Sequence, residues 1–147
     1  MKQTANGFTV VELMIGVITI GIIGSLGFAT LTSQQQSRRN DERRRHIIAL
    51  QQSIEDHYAQ NGKYPTLNEI NNASWRVKNL KKVSDNTLRD PKGSTSTLTT
   101  APQAQAYSYD VKASDDTACD NSVKDCVKYK LTATYEGGDT FEKTNLN

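Results

Sequence analysis

The 147-residue sequence predicts an α+β fold, a long N-terminal α-helical spine, apolar and then amphipathic, packed against a small antiparallel sheet of about three strands. Three observations predict it. Residues 8–32 form an almost unbroken apolar stretch in a chain that is only 35% hydrophobic overall. Ile47, Leu50, Ile54 and Tyr58 then recur at helical spacing, and near the C-terminus two segments alternate between apolar and polar residues.

The apolar stretch comes first. Between Lys2 and Arg38 the only charged side chain is Glu12. The run is long enough to cross a bilayer, whose hydrocarbon core takes about 20 helical residues. A cleavable secretory signal has a basic n-region, an apolar core of about 7–15 residues and small residues at a cut beyond it. Here a single Lys2 precedes a longer core with no small-x-small site after it, so the segment is expected to stay on the chain. Gly16, Gly21, Gly24 and Gly27 allow close helix approach in lipid, and each weakens the helix by about 1 kcal/mol relative to Ala.

Glu12 does not fit a plain anchor. A carboxylate at that depth costs about 3 kcal/mol even on insertion scales, so it is a functional residue by default. The other reading is an interfacial Glu that snorkels without a partner.

A short polar leader containing Lys2 and ending at Gly7 precedes Phe8, Thr9, Val10, Val11, Glu12 and Leu13, and then the apolar run to Thr32. This arrangement resembles the type IV pilin and pseudopilin family. The resemblance implies cleavage between Gly7 and Phe8 by a prepilin peptidase, N-methylation of Phe8, and subunit assembly through Glu12. It further implies that Glu12 pairs with the Phe8 amine of a neighbouring subunit, a group with an ordinary pKa near 7.7. Many members have a proline near the position of Ala29, and this run has none. The glycines leave local melting of the helix around Gly21–Gly27 open, while its usual marker is missing.

The implied organisation is a leader at 1–7, a transmembrane and filament-core helix at 8–32, the amphipathic half of the spine at 33–62, and a globular head at 63–147. The spine would end where Gly62 stops it and Pro65 prevents its continuation, giving a helix of about 80 Å. The cluster "RRNDERRRH" carries five arginines against Asp41 and Glu42, a net +3. It reads as a solvated face with Arg38/Glu42 and Asp41/Arg45 pairs, or as pairing between subunits, rather than as a nucleic-acid site. The cluster opposes the positive-inside rule, and the leader signature is the more specific of the two signals.

In the head, "TLNE" has the capping-box pattern, Thr66 with Glu69, opening a short helix. Trp75, Val77, Leu80, Val83 and Leu88 are expected to pack near it, and "DPKGSTSTLTTAPQ" reads as a loop. Tyr107, Tyr109 and Val111 form one strand pattern. Val127, Tyr129, Leu131, Ala133 and Tyr135 form another, with "EGGD" as the turn before Phe141. Cys119 and Cys126 enclose six residues at the joint between strands. In a small exported domain they favour a disulfide; in a reducing compartment the same pair would stay as thiols.

No enzymatic constellation stands out. His46 and His57 lie about 16 Å apart along a helix, too far for one metal or triad, and read as surface residues. There is no P-loop, so any assembly energy would come from another protein, and the resemblance implies a separate ATPase acting with an inner-membrane platform. No cofactor is expected. Asp110, Asp115, Asp116, Asp120 and Asp125 offer oxygen ligands of the kind calcium prefers, but their spacing fits no EF-hand, and a solvated acidic loop is the commoner reading.

The resemblance therefore implies a structural subunit of a type IV pilus. It would start as a single-pass precursor in the cytoplasmic membrane and then form an extracellular filament with itself and other pilins, serving adhesion, motility or DNA uptake. A pseudopilin of type II secretion is the alternative within that class. A membrane-anchored binding domain is the alternative from another.

Overall fold

The computed structural model describes residues 7–146, and within them the side chains of 23–30 are not described. Leader residues 1–6 lie outside the described residues, as do the side chains of Gly24, Gly27 and Ala29. The architecture is a long N-terminal helix and a small three-stranded antiparallel sheet, the α+β fold expected. The chain divides into two compact units, Met1–Arg38 and Arg39–Asn147.

The first unit holds the N-terminal part of α1 (Val10–Asn61), whose backbone is helical through Gly21–Gly27. The described apolar side chains of this part are exposed.

In the second unit the later turns of α1 bury one stripe. Ile47, Leu50 and Ile54 are fully buried and Tyr58 packs against them. A 3.6-residue repeat places such residues on one side, so a single face meets the core. The helix stops at Gly62, whose φ of +71° is the left-handed conformation that glycine adopts most readily. Its N–H donates to the Tyr58 carbonyl at 2.7 Å.

Three short helices follow: α2 (Leu67–Asn71), α3 (Ala73–Asn79) and α4 (Asp85–Leu88). Thr66 caps α2 as the sequence predicts. Glu69 N–H donates to Thr66 Oγ1 at 3.2 Å, and Thr66 N–H donates to the Glu69 carboxylate at 2.7 Å. Leu80, Val83 and Leu88 are buried and Trp75 is half-buried, but Val77 is 73% exposed. Arg76 and Leu80, four residues apart, take the inward face of this segment, which turns Val77 outward. The buried Arg76 guanidinium is satisfied by Asp85 and by the Ile70 carbonyl.

The sheet order is β1 (Tyr107–Lys112), β2 (Lys128–Thr134), β3 (Thr140–Thr144), all antiparallel. Tyr109 pairs with Leu131 and Ala133 with Phe141. Alternation along the strands puts Tyr107, Tyr109, Tyr129, Leu131 and Ala133 on one face, where all are buried in the core with the α1 stripe. Val127 and Tyr135 fall just outside β2; Tyr135 instead closes the hairpin turn, donating to the Asp139 carbonyl at 2.7 Å. The loop before β1 is tied down by Asn71, which exchanges two hydrogen bonds with the Leu98 backbone at 2.8 and 2.9 Å. Gly93 admits a close backbone approach, since a Cβ there would lie 2.4 Å from the Gln105 carbonyl oxygen.

Candidate functional site

The N-terminal segment follows from its residues one at a time. Thr9 precedes the first helical residue, Val10, and its Oγ1 accepts the Glu12 N–H at 3.2 Å. The Glu12 carboxylate returns to the Thr9 N–H over a longer 3.5 Å. This is a capping box, which satisfies two backbone donors left over at a helix start. Glu12 therefore has a local partner at its own helix start. The pattern Thr-x-x-Glu was present at 9–12 just as at 66–69, and it was the available signal for this role. The cap turns the carboxylate back toward Phe8, and the helix dipole favours a negative charge there.

Beyond the cap, polar groups are few. Thr19 folds its hydroxyl onto the Ile15 carbonyl at 2.6 Å, so its polarity is used within the helix. Phe8, Val10, Val11, Leu13, Met14, Ile15, Val17, Ile18, Ile20 and Ile22 are between 57% and 84% exposed. These positions go round the helix instead of forming a stripe. A helix apolar on all sides is one that is covered on all sides by other apolar matter. Among the described residues no helix is long and apolar enough to cross a membrane; the expected span, 8–32, includes the undescribed side chains of 23–30.

The arginine cluster is used differently from the expectation. Neither Arg38/Glu42 nor Asp41/Arg45 forms an ion pair among the described residues. Arg39 and Arg43 instead turn into the head. Arg43 and Asp90 are each 1% exposed and meet in a two-pronged contact, Nε to Oδ2 at 2.6 Å and Nη2 to Oδ1 at 3.0 Å. Nη1 of Arg43 adds Asn40 at 2.7 Å and Glu136 at 3.2 Å. Glu136 also binds Arg39 and, at 2.9 Å, Lys92; the Arg39 hydrogen bond leads in holding its carboxyl well below the usual range. Arginine suits this place because its planar fork matches a carboxylate in the low-dielectric interior. The pairs chosen span 47 and 97 residues, which helical spacing alone cannot reveal.

Both histidines are half-buried, not plain surface residues. His46 Nδ1 lies 2.9 Å from the Tyr107 hydroxyl, and burial lowers the pKa of the ring. His57 packs against Trp75 with ring centres 5.3 Å apart, and burial lowers its pKa too.

At the other end of the head Cys119 and Cys126 form a disulfide with Cα atoms 5.2 Å apart. The loop it closes docks on the segment after α1. Tyr64 N–H donates to the Cys126 carbonyl at 2.8 Å, and Asn121 Nδ2 to the Tyr64 carbonyl at 2.8 Å. The aspartates nearby all have partners: Asp110 with Lys112, Asp115 with Lys124, Asp116 with Lys128 and Asp125 with Lys63. Asp120 accepts the N–H groups of Val123, Ser122 and Lys124, which pull its carboxyl below the usual range. Among the described residues no group of three or more His, Cys, Asp or Glu side chains is placed to hold a metal.

The chain is similar to type II secretion system core protein G of Aeromonas hydrophila, with 28% identity over 65 residues, which is 44% of this chain and 46% of that protein. The match thus spans about half the length of that relative. No family model matches the chain, and no solved structure matches it.

Proposed function

We propose that the chain is a structural subunit of a pilin-type filament, cleaved after Gly7 and assembled through the N-terminal part of α1. The observation that carries this reading is the apolar segment from Phe8 to Ile22, exposed on all sides of the helix that starts at Val10 and bearing one acid, Glu12, in its first turn. Such a surface suits lipid before assembly and neighbouring copies of the same helix afterwards. The capping box supports the role given to Glu12. Cleavage would place a free amine on Phe8, one residue before Thr9, and the cap already points the carboxylate that way. The amine of an adjacent subunit, N-methylated on Phe8, can meet it as a charge-assisted pair.

Within this class the first reading is a type IV pilus, with the subunit a single-pass membrane precursor and then part of a surface filament. Its partners are itself, other pilins, the prepilin peptidase and an assembly platform driven by a separate ATPase. The similarity to a secretion-system core protein is the ground for keeping a second reading beside it, a pseudopilin of type II secretion. No catalytic role and no cofactor belong to either reading.

Mass spectrometry of the mature protein tests the class. The expected chain begins at methylated Phe8, and an intact Met1 terminus overturns the proposal. Glu12→Ala with cleavage intact is expected to abolish filaments, and normal filament yield removes Glu12 from assembly. Electron microscopy of sheared surface material separates the two readings, long fibres for a pilus and none for a secretion pseudopilus.

A further inference from the structure

The C-terminal segment is attached to the head differently from the rest of the sheet. β1 and β2 each place three consecutive residues in the interior, Tyr107–Tyr109 and Leu131–Ala133, whereas no residue of β3 is buried. Beyond β3, Leu146 is 74% exposed. Phe141 is half-buried, stacked on Tyr135 with ring centres 6.3 Å apart and flanked by Arg44 and Lys143 at 5.5 and 5.8 Å. Little buried apolar surface therefore holds this segment against local opening.

Two side chains of α1 supply the hold instead. Gln51 and Glu55 are one helical turn apart and so share a face. Gln51 Nε2 donates to the Thr144 carbonyl at 2.8 Å, and the Leu146 N–H donates to Glu55 Oε1 at 3.1 Å. The Glu55 carboxylate is itself fixed in place. The Tyr129 hydroxyl of β2 donates to Oε1 at 2.7 Å, and the Tyr64 hydroxyl, from the segment after α1, donates to Oε2 at 3.1 Å. One carboxylate thus joins α1, the segment after it, β2 and the C-terminal tail. Hydrogen bonds to a carboxylate are stronger than those between neutral groups, so Glu55 is the stronger of the two clasps. What the clasps keep covered is the outer edge of β2. β3 carries Glu142 and Lys143 in mid-strand, charges that discourage pairing with another chain. Behind it lies a strand whose inward residues Leu131 and Ala133 are fully buried, and its edge has no such protection.

We propose that residues 140–146 form a strap that opens as one unit while the rest of the head stays folded, with Glu55 as its latch and Gln51 as a second clasp. The closed strap keeps the edge of β2 from pairing with another chain. This device belongs to the head alone and does not depend on the filament reading.

The test is amide hydrogen exchange of the full chain in a nonionic detergent, read by mass spectrometry. Segment 140–146 is expected to exchange about tenfold or more faster than the buried stripe at 47–54. Glu55→Gln puts a neutral amide under the donors of Tyr64, Tyr129 and Leu146. It is expected to speed exchange at 140–146 by about a further tenfold and to speed 128–134 along with it, leaving 47–54 unchanged. Gln51→Ala is expected to act in the same direction by about threefold, and it decides the matter if Glu55→Gln does not fold. Asp56→Asn, whose carboxylate meets Lys82 on the surface at 3.4 Å, is expected to change nothing. Chemical cross-linking at rising protein concentration is expected to show more self-association in Glu55→Gln than in the unaltered chain. Exchange at 140–146 no faster than at 47–54, or variants that speed both segments equally, overturns the strap. Unchanged self-association in a variant whose strap exchanges faster overturns its guarding of the β2 edge.

Discussion

The two parts of α1 follow the same helical geometry but have opposite relations to their surroundings. From Arg39 onward, one stripe of Ile47, Leu50 and Ile54 is buried, while Arg43 reaches a carboxylate in the core. From Phe8 to Ile22 every described apolar residue remains exposed, and Thr9, Glu12 and Thr19 turn their side chains onto the helix's own backbone. The first kind of surface is completed by the chain itself. The second requires matter the chain does not supply, which is why function is assigned to it.

The sharpest way to break this contrast is at Arg43. Arg43→Met leaves Asp90 buried without its cation, and denaturant unfolding is expected to show a loss of about 3–5 kcal/mol. Replacing both partners, Arg43→Met with Asp90→Leu, is expected to recover most of it, because the buried charge disappears along with its partner. Next in size is the disulfide. Cys119→Ser with Cys126→Ser opens a short loop, and a loss of about 2 kcal/mol is expected in the same assay. At the other end, Thr9→Ala removes the cap of the exposed half, and its helicity by circular dichroism is expected to fall by about 1 kcal/mol in helix stability. The head's stability is expected to stay unchanged.

Acid gives a further contrast. His46 is held neutral by burial, so its folded pKa lies below the unfolded value of about 6.5. The unfolded state then binds more protons, and stability falls as pH drops through about 6.5. Glu136 has a folded pKa depressed chiefly by Arg39, so its contribution is present above about 4.3 and is lost as pH falls below that. Melting temperature measured against pH is expected to drop in two stages; His57, whose pKa is also lowered by burial, shares the upper one, so His46→Gln is expected to reduce it and a double change with His57→Gln to remove it. The smallest effect is expected at Val77→Ser, within about 0.5 kcal/mol, because that side chain is already in solvent.

Much of the fold was legible because its signals are local. The stripe at 47, 50 and 54 is a spacing, the stop at Gly62 is a conformational preference, and the strands at 107–112 and 128–134 are alternations. The capping box at Thr66 is legible from four letters, and the same four-letter pattern stands at Thr9, where the one acid of an apolar run serves both as a charge and as a cap. Val77 looked like a core residue because it is apolar. The turn of α3 gave the inward place to Arg76 instead, since an arginine with two partners can be buried where a valine is spared.

What the sequence by itself determined is the periodic part: a helix apolar throughout and then on one side, and strands around a glycine turn. These depend on neighbours a few residues away. Tertiary structure alone decided which charges meet and which groups are left over. Arg43 finds Asp90, the aspartates near the disulfide each find a partner, and the Ser53 hydroxyl is buried with none among the described residues. Such pairings join residues tens of positions apart, and their energies depend on burial and on distance in space, quantities that no local spacing contains.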